Sequence, residues 1–288
     1  MNYRLFIVAI VLVPLSCDHF KTKKAVPSVK VDAIKDKANV RSKRQADSLL
    51  FIEDSVLLEK SLADALNMAR QKGDKPCFTD SSAAMTPDSQ HTVGTTVNQG
   101  YYFSKILPHL IIRRKGPVET NIDVFVKTKA QYEKVVSYQQ ATMAYINDTI
   151  FDINGDGRKD FVVNWYGTNG CCLKAFSDVF LLRANKKSFS EDFEFTNPTF
   201  SPKEGIVRGV CYGHPGETEM YTYKWRGERL DTLEYIYYEK DKEDKKTGRF
   251  VISNRLPHSY HFKVLKIVKR MPAGYKGIEG YDWFTGKF

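Results

Sequence analysis

The sequence lacks most of what would assign a chemistry outright. It has no Gly-x-Ser-x-Gly elbow, no His-Glu-x-x-His pair and no phosphate-cradling glycine loop, so the chemistries those arrangements serve have no anchor in the chain. It has no Cys-x-x-Cys pair and no histidine at ligand spacing beside a thiol, which argues against zinc. No segment after residue 15 is apolar enough to span a hydrocarbon core,. No internal repeat is clean enough to count blades or solenoid turns. What is present is 288 residues with 42% hydrophobic and 27% charged side chains. That is the composition of a globular protein and excludes a disordered, collagenous or multi-spanning chain. Aromatics at 13% favour pleated structure, where flat rings pack well.

The chain starts with a targeting segment. Arg4 precedes an apolar run over residues 5–15, followed by Ser16 and Cys17. The run is too short for a bilayer core of about 30 Å, which takes about 20 helical residues, so residues 1–16 read as a secretory signal. Pro14-Leu15-Ser16-Cys17 resembles the bacterial lipoprotein signal, which implies lipidation of Cys17 and a membrane-anchored mature chain. The alternative is an ordinary signal peptide with an incidental Cys17.

The formal net charge of +10 is unevenly spread. Residues 18–46 hold nine Lys and Arg against three Asp, with little apolar company. Such a stretch buries too little surface to offset its chain entropy, so residues 17–46 read as a basic tether. Near an anionic leaflet each base adds about 1 kcal/mol of attraction; a plain spacer is the other reading. Only +3 remains from Asp47 onward, so the charge says little about what the main domain binds. Nucleic acid is rejected, because no RNA-binding aromatic motif or recognition helix accompanies the lysines.

Over residues 47–75 the spacing becomes helical. Leu49, Ile52, Val56, Leu58, Leu62, Ala65, Leu66 and Ala69 recur at intervals of two to four, which predicts an amphipathic helix stopped by Gly73. A polar stretch runs to about Gln99. Short β-branched and aromatic runs follow at residues 110–113, 122–127, 161–166, 178–182, 206–210, 220–225, 233–238 and 250–253, many separated by Gly, Pro or Asn turns. Short strands without alternating helices predict a mainly β fold. The expected fold is an antiparallel propeller-like or barrel/sandwich domain over residues 77–288, with an N-terminal amphipathic helix.

The strongest chemical signal is Asp152-Ile153-Asn154-Gly155-Asp156-Gly157-Arg158-Lys159-Asp160. Oxygen side chains stand at loop positions 1, 3, 5 and 9, and Arg158 supplies a backbone carbonyl at position 7. A hard cation such as Ca2+ needs six to eight oxygens, and this spacing wraps them around one point. Asp152, Asn154, Asp156, Arg158 and Asp160 are therefore the candidate Ca2+ ligands, with a metal-free Asx-rich hairpin turn as the alternative. Position 12 is Val163, so the full EF-hand pattern is absent. Cys77, Cys171, Cys172 and Cys211 are an even set in an exported chain and are candidates for disulfides, a vicinal Cys171–Cys172 bridge included.

Several runs carry a resemblance. They are Phe151 to Tyr166 with its acidic loop, Gly170-Cys171-Cys172, Asn197-Pro198, Gly209 to Glu217, Tyr223-Lys224-Trp225 and Glu279 to Phe284. This pattern resembles a group of uncharacterised bacterial lipoproteins. The loop is similar to those of dockerins and of FG-GAP or VCBS-type repeats. More distantly, the pattern is similar to periplasmic inhibitors of invertebrate-type lysozyme. The resemblance implies a calcium-bearing β-fold and a protein-binding role.

His214, Glu217 and Glu219, with Tyr212 or Tyr221, form a candidate acid/base group, against the alternative of a structural turn. His258 and His261 read as a solvated turn. Trp165, Trp225 and Trp283 are candidate stacking surfaces or core residues. The function these features predict is a calcium-stabilised, exported cell-envelope lipoprotein, non-catalytic, with a membrane contact through lipid and a protein or glycan partner. The alternatives are an inhibitor or immunity-like protein against a wall-degrading hydrolase, and a glycan or peptide hydrolase.

Overall fold

The computed structural model describes residues 32–86, 91–129 and 131–287. The signal segment and Cys17 lie outside them. Two compact units divide the chain, Met1–Asp47 and Ser48–Phe288; in the first, the described part is the helical backbone from Asp32.

Helix α1 runs Asp32–Gln71 and so begins inside the expected tether. The physical reason is that residues 28–72 contain neither Gly nor Pro and are rich in Ala, Lys, Arg and Leu, all good helix formers. Gly73, at φ +60°, ends it by donating its N–H to Arg70 O at 3.0 Å. The stripe actually buried is Asp54, Leu57, Leu58, Ser61, Leu62, Ala65 and Ala69. Leu49, Ile52 and Val56 of the expected face are instead more than half exposed. Asp54 explains the change, because its Oδ2 accepts the backbone N–H of Val118 and Glu119 at 3.2 and 3.1 Å. Those residues belong to a turn at the end of a sheet, and Ser48, Leu49, Phe51, Ile52 and Glu53 just ahead of Asp54 are exposed.

Among the described residues, fifteen strands form three antiparallel sheets, each a meander of consecutive strands. The first holds β1 (Phe78–Met85), β2 (Thr92–Gly100), β3 (His109–Lys115), β4 (Glu119–Thr128) and β5 (Gln131–Ala141). The second holds β6 (Tyr145–Phe151), β7 (Asp160–Tyr166), β8 (Ala175–Leu182) and β9 (Phe189–Thr196). The third holds β10 (Pro198–Ser201), β11 (Ile206–Val210), β12 (Met220–Trp225), β13 (Leu230–Lys240), β14 (Lys246–Ser253) and β15 (Val264–Val268). A short helix α2 (Tyr281–Thr285) closes the chain.

Alternation along the strands divides the side chains between successive cores. Leu62, Ala65 and Ala69 of α1 pack on Val97, Leu110, Ile112 and Phe125 of the first sheet. The other face of that sheet gives Ile111, Ile122, Val124 and Val136, which meet Phe161, Val163, Phe180 and Leu182 of the second. The reverse face of the second sheet gives Val162, Val179, Leu181 and Phe195, which meet Val207, Tyr221 and Trp225 of the third. Last, Val210, Met220, Ile236 and Ile252 are covered by Met271, Tyr275, Ile278 and Phe284 from the C-terminal segment. The fold is thus mainly β, with its sheets packed face to face.

Polar bonds pin these layers. Arg114 and Asp123, both almost fully buried, form an ion pair. Arg114 Nη1 also donates to Leu58 O of α1 at 2.7 Å, and Asp123 accepts from Ser137 Oγ at 2.9 Å and Lys134 Nζ at 2.8 Å. Between the first and second sheets, Arg113 Nε and Nη2 grip both oxygens of Asp148 at 2.6 and 2.5 Å. His109 is buried against the edges of Phe103 and Phe189; burial lowers its pKa to about 4.

The four disulfide candidates, Cys77, Cys171, Cys172 and Cys211, are free thiols in this structure. Cys77 is exposed just ahead of β1 in the first sheet, whereas Cys211 packs on the Tyr221 and Trp225 core between the second and third.

Removing Asp123 strands the Arg114 charge. Asp123→Ala is expected to destabilise by about 3–5 kcal/mol in urea unfolding, and Arg114→Ala in the same chain should restore part of that loss; simple additivity would contradict the coupling. His109 carries a pH signature. Its folded pKa lies below the ordinary 6.5, so its contribution is complete above about pH 6.5 and is lost as the pH falls toward about 4. The stability difference between wild type and His109→Phe should change across that window, and a pH-independent difference would refute it.

Candidate functional site

The second sheet turns from apolar to polar along one face. On β7, Val162 is followed two residues on by Asn164, and on β8, Val179 is preceded by Ser177. Register sets Asn147 opposite Asn164 and Asn164 opposite Ser177. These three join side by side, with Ser177 Oγ donating to Asn164 Oδ1 at 2.7 Å and Asn164 Nδ2 donating to Asn147 Oδ1 at 2.8 Å. The row lies across three strands where the core against the third sheet stops.

Above it opens a groove of about 610 Å³, bordered by Phe151, Phe200 and Trp283, with Glu279 and Asp282 at its side. Phe151 and Phe200 meet edge to face at 6.3 Å. Trp283 is anchored twice, its Nε1 donating to Gly213 O at 2.9 Å and its carbonyl accepting Gly216 N–H at 2.8 Å. Asn197, buried at φ +47°, an angle that Asn tolerates better than most residues, ties the groove's end. Its Nδ2 donates to Leu173 O and Val210 O at 3.1 and 3.0 Å, and its Oδ1 accepts Ala175 N–H at 2.9 Å. A larger hollow of about 680 Å³ beside Leu230, Asn254 and Arg255 has one aromatic, Tyr235.

The three tryptophans separate in role. Trp225 is 6% exposed in the core against Phe193 and Phe195. Trp165 stacks on Phe176 at 4.1 Å, and its Nε1 donates to Asp178, which also accepts from Tyr138 across the sheets at 2.6 Å. Burial raises the Asp178 pKa; the two hydrogen bonds oppose that rise. Trp283 lines the groove and also packs against the C-terminal core.

The acidic loop is closed by its own amides. Asp152 Oδ1 accepts the N–H of Gly155 and Asp156 at 2.7 and 3.1 Å, and its Oδ2 that of Gly157 at 2.8 Å. Asp156 Oδ1 accepts Arg158 N–H at 2.9 Å. The Arg158 side chain turns back to pair with Asp156 and to donate from Nε to Leu182 O at 2.8 Å. Asp160 is fully buried, one oxygen accepting Ile153 N–H at 3.0 Å and the other Leu182 N–H at 2.8 Å. Burial first, then the charges of Asp156 and Asp152, push its pKa up to about 7 against those two bonds. The donor set is all oxygen, the kind a hard cation takes, and Asp152 Oδ2 and Asp156 Oδ1 each accept a single N–H, whereas Asp152 Oδ1 accepts two and Asp156 Oδ2 is held by Arg158 and Asn154. Asp160 serves foremost as a buried bracket between the loop and β8.

The residues His214, Glu217 and Glu219 do not converge as an acid/base group. His214 lies beside Cys171, while Glu217 pairs with Lys240 at 2.9 Å and Lys246 at 3.4 Å. Those lysines hold its carboxyl below the usual range, the Lys240 bond foremost. His258 and His261 are exposed at φ +64° and +59°, in a turn that Asn254 caps by accepting Lys263 N–H at 2.7 Å.

No protein-family model, curated protein or solved structure matches this chain. The likeness to envelope lipoproteins stands on the sequence motifs alone.

Proposed function

We propose that the chain is an exported, lipid-anchored accessory module of a bacterial envelope that holds a glycan in the aromatic-walled groove without cleaving it. The observation that carries this reading is the Ser177–Asn164–Asn147 row under Phe151, Phe200 and Trp283. Amide and hydroxyl groups match sugar hydroxyls, and flat rings match the apolar faces of sugar rings. A volume of about 610 Å³ lies within the range of small-ligand sites, roughly 300–1,000 Å³. The lipid at Cys17 holds the module at the membrane. Ca2+ on Asp152, Asn154 and Asp156 stiffens the loop that leads into β7, the strand that carries Asn164.

A protein partner is the second reading, supported by β15. This edge strand of the third sheet leaves Val264, Leu265 and Ile267 42–49% exposed, a surface on which a partner can add a strand. Such a partner includes a wall-degrading hydrolase held inhibited.

Soluble muropeptides and chitooligosaccharides titrated into the protein should give saturable binding in calorimetry. Phe151→Ala and Asn147→Ala should each weaken it about tenfold, the scale of one contact of about 1.4 kcal/mol, with the melting curve retained. Absence of saturation at millimolar sugar would remove the glycan reading. Separately, Ca2+ should raise the melting temperature and EDTA lower it, and Asp152→Ala should abolish the difference; an identical melt in both buffers would leave the loop to its own amides and Arg158.

A further inference from the structure

The loop between β7 and β8 and the loop between β11 and β12 meet at three soft donors. Cys171 Sγ, Cys172 Sγ and a ring nitrogen of His214 all lie within 4.8 Å of one another, the one such group of three His, Cys, Asp or Glu among the described residues. We propose that Cys171, Cys172 and His214 form a binding site for a thiophilic divalent cation of the Zn2+ class, with its fourth position open to solvent.

Distance supports this first. Zn–S bonds near 2.3 Å and Zn–N bonds near 2.0–2.1 Å put the sulfur-to-nitrogen edge of a tetrahedron at about 3.6 Å. Cys171 Sγ and His214 Nδ1 already stand 3.8 Å apart, so closure around an ion needs little movement. Donor chemistry comes second: two thiolates and an imidazole suit Zn2+ and its softer neighbours and are poor ligands for Ca2+ or Mg2+.

Both loops are held from outside the donor set. Lys174, 5% exposed, donates its Nζ to the carbonyls of Asn169 and Gly170. Gly167 N–H closes the loop on Lys174 O at 2.9 Å. Opposite, Cys211 N–H bonds Glu219 O at 2.8 Å, Thr218 Oγ1 donates to Cys211 O at 2.8 Å, and Trp283 holds Gly213 O. The Tyr212 hydroxyl reaches over to Gly170, next to Cys171 in the same loop. Cys172 is buried while Cys171 and His214 are exposed, so an ion can arrive from solvent and one coordination position stays wet.

The other two thiols do not compete. Cys77 belongs to the first sheet, and burial pushes the Cys211 thiol up to about 12. A Cys171–Cys172 disulfide uses the same sulfurs, so coordination and oxidation exclude each other.

The reduced full chain, kept without oxygen, should take up one equivalent of Co2+ with a thiolate-to-cobalt charge-transfer band and the visible bands of a tetrahedral ion, and Zn2+ should displace it. Cys171→Ser and Cys172→Ser should each lose most of the band. His214→Ala should keep sulfur-based absorption but bind at least tenfold more weakly, and Cys77→Ser should bind as wild type. No charge-transfer band in the reduced chain, or a band that survives the Cys171→Ser, Cys172→Ser double variant, would overturn the site. Unchanged affinity in His214→Ala would overturn the imidazole ligand. X-ray absorption of the zinc-loaded wild type needs no variant to fold: two sulfur scatterers and at least one nitrogen support the assignment, and an oxygen-only shell refutes it.

Discussion

Burial of the second sheet on both faces is the constraint from which the rest of the β-body follows. A sheet covered on one side alternates apolar and polar residues, whereas one covered on both sides must be apolar at every position. Phe161, Val162 and Val163, and then Val179 to Leu182, meet that demand. With odd and even residues assigned to different cores, the first and third sheets each have a surface to pack on. Where the covering fails, at Asn164 and Ser177, the same alternation produces polar side chains under an opening. The groove is therefore the place where the two-sided burial ends.

The same rule explains what was legible in the sequence. β3, β4, β7, β8, β11, β12, β13 and β14 contain the eight runs rich in β-branched and aromatic residues, because their demand for apolar area shows directly in composition. β1 and β2 lie in the polar stretch that runs to about Gln99. In β2, Val93, Thr95 and Val97 point inward, and Thr counts as polar by composition although its methyl packs like that of Val. β6 and β9 mix Asp, Glu and Asn with Phe and Ile, and β15 has five residues, so neither period nor length marked them. In α1 the helical period was clear, but which side is buried depended on Asp54 meeting the β3–β4 turn, a contact between residues far apart in sequence.

The candidate sites divide the same way. Adjacent carboxylates in residues 152–160 can be seen by spacing alone, yet their partners are amides and Arg158, which spacing does not reveal. His214 stands 43 residues from Cys171, so their approach is a product of sheet order. The Asn147, Asn164 and Ser177 row likewise exists only through strand register. A signal was present in retrospect, since polar residues interrupt β7 and β8 at paired positions.

Among the described residues, every strand pairs with strands adjacent in sequence, and no crossover joins one sheet to another. Each hairpin therefore closes over a short loop, and the entropy of bringing distant segments together is confined to docking preformed meanders. Such a chain can assemble in order from its amino end, with each completed sheet serving as the template for the next. The segment carrying Tyr275, Trp283 and Phe284 covers the outer face of the third sheet and forms one wall of the groove, so that wall exists only once this segment has docked.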